Sequence, residues 1–330
     1  MRLLFEKDIG ADPLRGRSVA VIGFGSQGSA HAENLRDSGV DVRIGLREGS
    51  SSDGKARRAG FEISGIEDAV RGADIAALLI PDEEHGAVYG ARLDGALQPG
   101  KTLLVAHGFS LHFRQIAPRP DLDVIMVAPK GPGHQVRSEY RRGEGLVMLA
   151  AVGQDATGRA RDTALQYASA IGGGRGGVFE SSFGEECETD LFGEQAVICG
   201  GLTHLIAAGY ETLVDAGYPP EMAYFECLHE VKLTADLIHA RGIAGMRDVI
   251  SNTARFGDVT RGPRVIGPAV REEMKKILAE IRSGEFADEW MEENRGGRRK
   301  FSALLERERS RPIEKIGTEV RKLMNRRADD

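Results

Sequence analysis

Two hydrophobic patterns divide the chain. In the first half, short strand-like runs recur between longer mixed segments: Ser18 to Ile22, Val40 to Leu46 (where Asp41 and Arg43 alternate with apolar residues), Asp74 to Ile80, Thr102 to Ala106, Asp123 to Ala128 and Leu146 to Val152, most of them nearly unbroken apolar. Runs of this length without strict polar alternation suit strands buried on both faces. The segments between them are long enough for crossover connections, so the pattern predicts a doubly wound parallel α/β sheet. The glycine-rich stretch from Gly172 to Gly177 and the short run Val178 to Glu180 mark a change. Beyond Ser181 the pattern is helical, with long amphipathic stretches such as Glu272 to Arg282. We therefore expect an α/β domain over 1–181 and an all-α domain over 182–330.

The first apolar run leads directly into Gly23-Phe24-Gly25-Ser26-Gln27-Gly28. A helix fits Ser29 to Asp37, and Ser38-Gly39 stops it before the second strand. A G-x-G-x-x-G turn between a strand and a helix lets the backbone approach a pyrophosphate at the helix N-terminus, which makes the first domain Rossmann-type. The second strand ends in Leu46-Arg47-Glu48-Gly49-Ser50-Ser51-Ser52-Asp53. Arg47, Ser50 and Ser52 offer charge and hydroxyl donors to a 2′-phosphate. Glu48 and Asp53 read as solvated loop charge. NADPH is favoured, with NADH left open.

Ligands on such sheets bind beyond the carboxyl ends of the strands. Pro81-Asp82-Glu83-Glu84-His85 follows the third run and is expected to border the cofactor. His107 follows the fourth, placed for proton chemistry or for polarising a substrate oxygen. Lys130, between two prolines and two glycines in 129–133, suits a fixed cation near an anionic substrate.

The helical half carries a different signal. Asp190 and Glu194 are four residues apart and would lie on one helix face, followed by apolar Ala196-Val197-Ile198-Cys199. Glu226 and Glu230 repeat the arrangement. Unpaired carboxylates on apolar helices are costly to bury, so two such pairs call for a cation. All-oxygen ligation suits Mg²⁺, whereas histidine or thiolate would favour zinc.

Composition narrows the classes. With 330 residues, 41% hydrophobic and 28% charged, the chain fits about two globular domains, and a net charge of −6 argues against nucleic acid or an anionic membrane as partner. Arg295, Arg298, Arg299 and Lys300 lack aromatic interleaving and read as a solvated helix face. The three cysteines, Cys187, Cys199 and Cys227, have no C-x-x-C spacing and read as reduced core thiols. Leu3-Leu4-Phe5 is too short for a secretory core, and apolar runs such as Ile75 to Ile80 are far below a membrane span. A soluble cytoplasmic protein is expected.

The motifs together resemble one family. The stretches 23–28, 45–50, 106–109, 128–134, 188–195, 220–230 and 250–254 look like ketol-acid reductoisomerase, in the same order and over nearly the whole chain. The resemblance implies an enzyme of valine, leucine and isoleucine biosynthesis. Such enzymes convert 2-acetolactate or 2-aceto-2-hydroxybutyrate into a 2,3-dihydroxy-3-alkyl acid with Mg²⁺ and NADPH. Carried over by position, Asp190, Glu194, Glu226 and Glu230 would ligate two Mg²⁺ ions, Asp190 bridging them, and Ser251 would contact the substrate carboxylate. His107 would be the active-site histidine, with Lys130 supporting proton movement. Phe24, Gly25, Ser26, Gln27, Arg47, Ser50, Ser52, Asp82, Glu83, Glu84, His85 and Gly133 match cofactor positions. The chemistry fits the set: an alkyl shift needs an alkoxide stabilised and a carbonyl activated together, which two hard cations can do before hydride reduction. The resemblance further implies a knotted helical domain and a homodimer, or a higher homo-oligomer, with a shared active site.

Several positions depart from the family pattern. Phe24 stands where tyrosine is usual and Ser29 where histidine is frequent. Asp248 replaces a common tyrosine, and Arg255-Phe256 a usual Glu-Tyr; these flank Ser251 and bear on substrate preference. The alternatives are another nicotinamide-dependent 2- or 3-hydroxyacid dehydrogenase, a paralogue serving a secondary pathway, or a dinucleotide-sensing regulator. A dehydrogenase would leave the four helical carboxylates without a task.

Overall fold

The computed structural model describes residues 2–10 and 14–325. Residues 1 and 326–330, the outer ends of the two expected domains, lie outside the described residues, as do residues 11–13. The chain forms two compact units, Met1–Thr189 and Asp190–Asp330. The division thus falls beyond Ser181, within a helix.

The first unit is built on an eight-stranded sheet of order β3-β2-β1-β4-β5-β6-β7-β8. The strands are β1 Ser18–Ile22, β2 Asp41–Gly45, β3 Ile63–Ser64, β4 Ile75–Leu78, β5 Thr102–Val105, β6 Asp123–Pro129, β7 Met148–Gln154 and β8 Val178–Glu180. Side chains alternate across the sheet, and both faces are covered. On β1, Val19 and Val21 join one core with Ala30 and Leu35 of helix α1, Ser26–Asp37. Ala20 and Ile22 join the other, with Ala69 and Val70. All four β1 side chains are fully buried, which explains the unbroken apolar run in the sequence. Burying a side chain such as Leu35 contributes roughly 1.5–3 kcal/mol.

Other helices important here are α2, Asp53–Arg58, α3, Ile66–Arg71, and α4, Gly133–Arg141. Strands β1 to β6 pair in parallel, as expected, but β7 pairs antiparallel with β6. The connection 130–147 leaves along α4 and returns, and Lys130 N–H donates to Val147 O at 2.9 Å. Strand β7 therefore starts at the end where β6 stopped. Helix α1 begins three residues earlier than the expected Ser29, because the glycine turn already supplies its first turn.

A helix α5, Ala160–Ala170, packs on the first core, and α6, Phe183–Gly193, follows β8. The helix then widens: Cys199 N–H donates to Glu194 O at 3.0 Å, a five-residue step instead of four. It continues as α7, Gly200–Asp215. The same widening joins α8, Pro220–Tyr224, to α9, Glu230–Val249, where Glu230 N–H donates to Phe225 O. Such wide turns are uncommon and often mark functional positions. Helices α10 Asn252–Val265, α11 Pro268–Ser283, α12 Glu285–Arg295, α13 Arg299–Arg309 and α14 Pro312–Asn325 complete the second unit.

One core of the second unit gathers only Tyr210, Ala223, Tyr224, Ile313 and Val320 as buried members. Large apolar side chains are meanwhile exposed: Ile198 65%, Phe256 63%, Ile243 57% and Leu233 56%. The continuous helix Phe183–Asp215 is long and apolar enough to cross a membrane by length and composition alone, and only 11% of its most apolar window is buried. The reading from consecutive apolar residues missed this, because glycines and isolated polar residues interrupt the run. Cysteine placement also differs from the expected core thiols: Cys187 is buried and Cys227 half-buried, but Cys199 is exposed. It lies just past the wide turn, where the helix turns Val197 and Ile198 outward as well.

Candidate active site

The glycine turn is shaped by close approach. A Cβ on Gly28 would stand 2.4 Å from Gly23 O, so only glycine lets α1 start so near the end of β1. At Gly25 a Cβ would meet nothing within 4 Å, leaving open space before the first-turn amides. Gln27 Nε2 donates to Gly131 O at 3.1 Å, while its Oε1 is buried without a hydrogen-bond partner. Open space, amides at a helix N-terminus and an orphaned acceptor fit a bound dinucleotide. Beside this turn is a cavity of ≈ 290 Å³ lined by Phe24, Gly25, Arg47, Ser50, Ser52 and Glu84, among others.

The loop acids have different surroundings. Arg57 Nε and Nη2 donate to the Asp53 carboxylate at 2.8 and 3.3 Å, along one face of α2. Neither Asp53 nor Glu48 lines the cavity. Arg47 is exposed at its mouth and makes no ion pair among the described residues.

At the same carboxyl end of the sheet, beyond β4, β5 and β6, Asp82, His107 and Lys130 meet around a residue that sequence reasoning left without a role. Glu186, on α6, is 1% exposed. Its Oε2 accepts the Gly108 N–H at 2.9 Å and its Oε1 accepts Lys130 Nζ at 2.9 Å. His107 Nε2 lies 4.0 Å from Glu186 Oε2, and His107 Nδ1–H donates to Asp82 Oδ2 at 3.3 Å. A Cβ on Gly108 would come within 2.5 Å of Phe183 O, so glycine lets α6 approach this loop closely. The only sequence signal for Glu186 was its place one helical turn before Asp190.

His85, expected to border the cofactor, is held by bonds within the chain. It is 2% exposed; its Nε2–H donates to Ile80 O at 3.1 Å and its Nδ1 accepts the Ser110 hydroxyl at 2.9 Å. Burial lowers its pKa below the ordinary imidazole value. Both ring nitrogens are used inside the protein, so His85 holds the 81–85 loop through them. Asp82 is likewise turned to His107, while Glu83 and Glu84 are half-buried in the same short turn, Glu84 on the cavity wall. Gly133 lies where a Cβ would strike Ser26 O at 2.1 Å, bringing α4 against the glycine turn.

The helical carboxylates are less buried than their apolar surroundings in sequence suggested. Asp190 and Glu194 are half-buried, and Glu226 and Glu230 exposed. Among the described residues, no three of these four place ligand atoms within 4.8 Å of one another. Ser251 is the N-cap of α10: its hydroxyl oxygen accepts the Ala254 N–H at 3.1 Å, which leaves the hydroxyl hydrogen to donate elsewhere.

Beneath the glycine turn, the α1 face that carries Ala30 and Leu35 also buries a histidine. His31 is fully buried, 3.1 Å by Nδ1 from the Tyr167 hydroxyl of α5, and burial lowers its pKa to about 3. Burial also raises the pKa of Tyr167. Between about pH 3 and 6.5 the unfolded chain binds the proton that folded His31 refuses. The stability contribution is therefore present above pH 6.5 and is lost as pH falls through this window. Urea unfolding at pH 4.5 and pH 7 is expected to differ by about 2–3 kcal/mol from this residue, a difference that His31→Gln largely removes. An equal pH dependence in the variant would contradict the assignment.

A two-faced, parallel-dominated sheet, a glycine turn at the start of α1 and a cavity of ≈ 290 Å³ at the end of β2 define a dinucleotide-binding α/β fold. Family models agree and go further. Residues 13–177 match the acetohydroxy acid isomeroreductase NADPH-binding domain, and residues 183–326 the ketol-acid reductoisomerase C-terminal domain. The chain is similar to the solved NADH-preferring ketol-acid reductoisomerase from an uncultured archean, with 44% identity, a TM-score of 0.95 and coverage of 98% of this chain and 99% of that one. A Cupriavidus necator semialdehyde dehydrogenase NAD-binding protein (20% identity, TM-score 0.63, 81% and 99% covered) shares the fold alone. So does a Plasmodium falciparum pyrroline carboxylate reductase (14% identity, TM-score 0.51, 82% and 98% covered). The chain belongs to the ketol-acid reductoisomerase family of branched-chain amino-acid biosynthesis.

Proposed function

We propose that the protein is a Mg²⁺-dependent reductoisomerase that converts 2-acetolactate or 2-aceto-2-hydroxybutyrate to the 2,3-dihydroxy-3-alkyl acid with NADPH. The observation that carries this reading is the donor set Asp190, Glu194, Glu226 and Glu230: four carboxylates, two beside wide helical turns, in a chain of this family. Such hard oxygen donors fit Mg²⁺. When bound, two Mg²⁺ ions supply Lewis acidity to the substrate oxygens. The amides at Gly25 to Gln27 hold the cofactor diphosphate. Asp82 fixes the His107 ring through Nδ1–H, Glu186 holds the Lys130 ammonium proton at Oε1, and the Ser251 hydroxyl donates to the substrate carboxylate.

Homodimerisation with a shared active site belongs to the same reading. Exposed Ile198, Leu233, Ile243 and Phe256, with an apolar helix largely uncovered, form a surface that a second copy would bury. Glu226 and Glu230 are then completed by a second chain's Asp190 and Glu194.

NADPH is supported by Arg47, Ser50 and Ser52 on one cavity wall and by Asp53 being held by Arg57. NADH is the second reading, favoured by Glu48 beside Arg47 and by the NADH preference named for the 44%-identical relative. Steady-state KM values decide. Arg47→Ala is expected to raise KM for NADPH by about tenfold and leave that for NADH within about twofold. Equal effects on both would remove the phosphate assignment.

A further inference from the structure

Helix α2, which closes the serine loop, directs its charges to two different places. Asp53 is held by Arg57. Lys55 turns toward α1, where its Nζ donates to Ser29 Oγ at 3.0 Å and stands 5.6 Å from the centroid of the Phe24 ring. Ser29 is 7% exposed and donates its own proton to Gly25 O at 2.7 Å. Lys55 is thus linked through one hydroxyl to the residue that precedes the first turn of α1. It shares a groove of ≈ 340 Å³ with Ser26 and Gly133, and it does not line the cavity of Arg47, Ser50 and Ser52.

We propose that Lys55 is an affinity-determining residue for the diphosphate common to NADH and NADPH, held in place by Ser29 and Phe24. This rests on the dinucleotide-binding reading above. The α1 N-terminus already offers amides and a partial positive charge to an anion. A cation fixed on Ser29, in the groove that Ser26 also lines, adds an attraction that does not depend on the 2′-phosphate. An unrestrained lysine would lose much side-chain freedom on meeting the ligand. The Ser29 hydroxyl and the Phe24 ring face restrain it beforehand. The two positions that depart from the family pattern in the glycine turn and its helix are the two that touch Lys55. A serine at 29 supplies a short acceptor, and a phenylalanine at 24 supplies a ring face without a competing hydroxyl. Arg47 and Lys55 would then divide the work: Arg47 discriminates between cofactors, and Lys55 strengthens both.

The test is equilibrium binding of NADH, NADPH and ADP-ribose to the full-length protein at low and high salt, for wild type, Lys55→Met, Ser29→Ala and Arg47→Ala. Lys55→Met is expected to raise all three Kd values by a common factor of about three to ten at low salt, shrinking as salt is added. Ser29→Ala gives the same pattern with a smaller factor. Arg47→Ala weakens NADPH alone. The melting temperature of Lys55→Met without cofactor stays at the wild-type value. Unchanged binding by Lys55→Met, selective loss of NADPH, or a lowered melting temperature with a salt-independent affinity change would each overturn the proposal. Failure of the wild type to bind any of the three would overturn the dinucleotide reading itself, and the proposal with it.

Discussion

Asp190→Ala is expected to lower turnover of 2-acetolactate by at least about three orders of magnitude while leaving NADPH affinity within about threefold of wild type. On the proposed role, Asp190 would help to hold both Mg²⁺ ions, so its loss would weaken both sites at once. Cofactor affinity survives because the glycine turn and the Arg47 loop belong to the first unit and use none of the helical acids. Glu226→Ala should be comparably inactive. If the site is shared between two chains, mixing Asp190→Ala with Glu226→Ala chains restores about a quarter of wild-type activity, since half the dimers are mixed and each has one intact site. No restoration on mixing, with stable mixed dimers demonstrated, would place all four carboxylates in one chain.

The second large effect is at Glu186. Its carboxylate is almost wholly enclosed and receives both the Gly108 N–H and the Lys130 ammonium. Glu186→Gln keeps the shape and one acceptor but removes the charge that holds Lys130. Turnover is expected to fall by about two to three orders of magnitude with only a small change in stability. Glu186→Ala also leaves Gly108 N–H unpaired and opens a cavity, at a cost of about 2–4 kcal/mol in urea unfolding. Lys130 is partly exposed and can turn to water, which keeps this below the cost of stranding a fully buried ion. Full turnover in Glu186→Gln would show that the carboxylate is only structural.

Much of the first unit was legible in the sequence because its signals are local. β1 spans the same Ser18–Ile22 run that its uniform hydrophobicity marked, since both faces of the sheet are covered. The G-x-G-x-x-G stretch follows β1 as expected and runs into the first turn of α1, since glycine there answers to atoms only a few residues away. What escaped prediction depends on long-range geometry. The direction of β7 is set by where the 130–147 connection returns, and composition carries no record of that. β3 is two residues long and leaves no periodic trace. The role of Glu186 rests on partners 56 and 78 residues away in sequence. The wide turns at Glu194 and Phe225 add one residue to a hydrogen-bonded step without changing the apolar pattern. The i, i+4 argument placed the acids on helices yet missed how far Glu226 and Glu230 stand in solvent. In the dimer proposed above, a second chain would cover those acids and Cys199.

The most direct measurement follows NADPH oxidation and dihydroxy-acid formation together, with 2-acetolactate, in the wild-type protein with Mg²⁺ and after its removal by a chelator. The account predicts one product per NADPH consumed with Mg²⁺ present, loss of both signals on chelation, and recovery on adding Mg²⁺ back. Undiminished turnover without a divalent cation, or NADPH oxidation that yields no rearranged product, would contradict it.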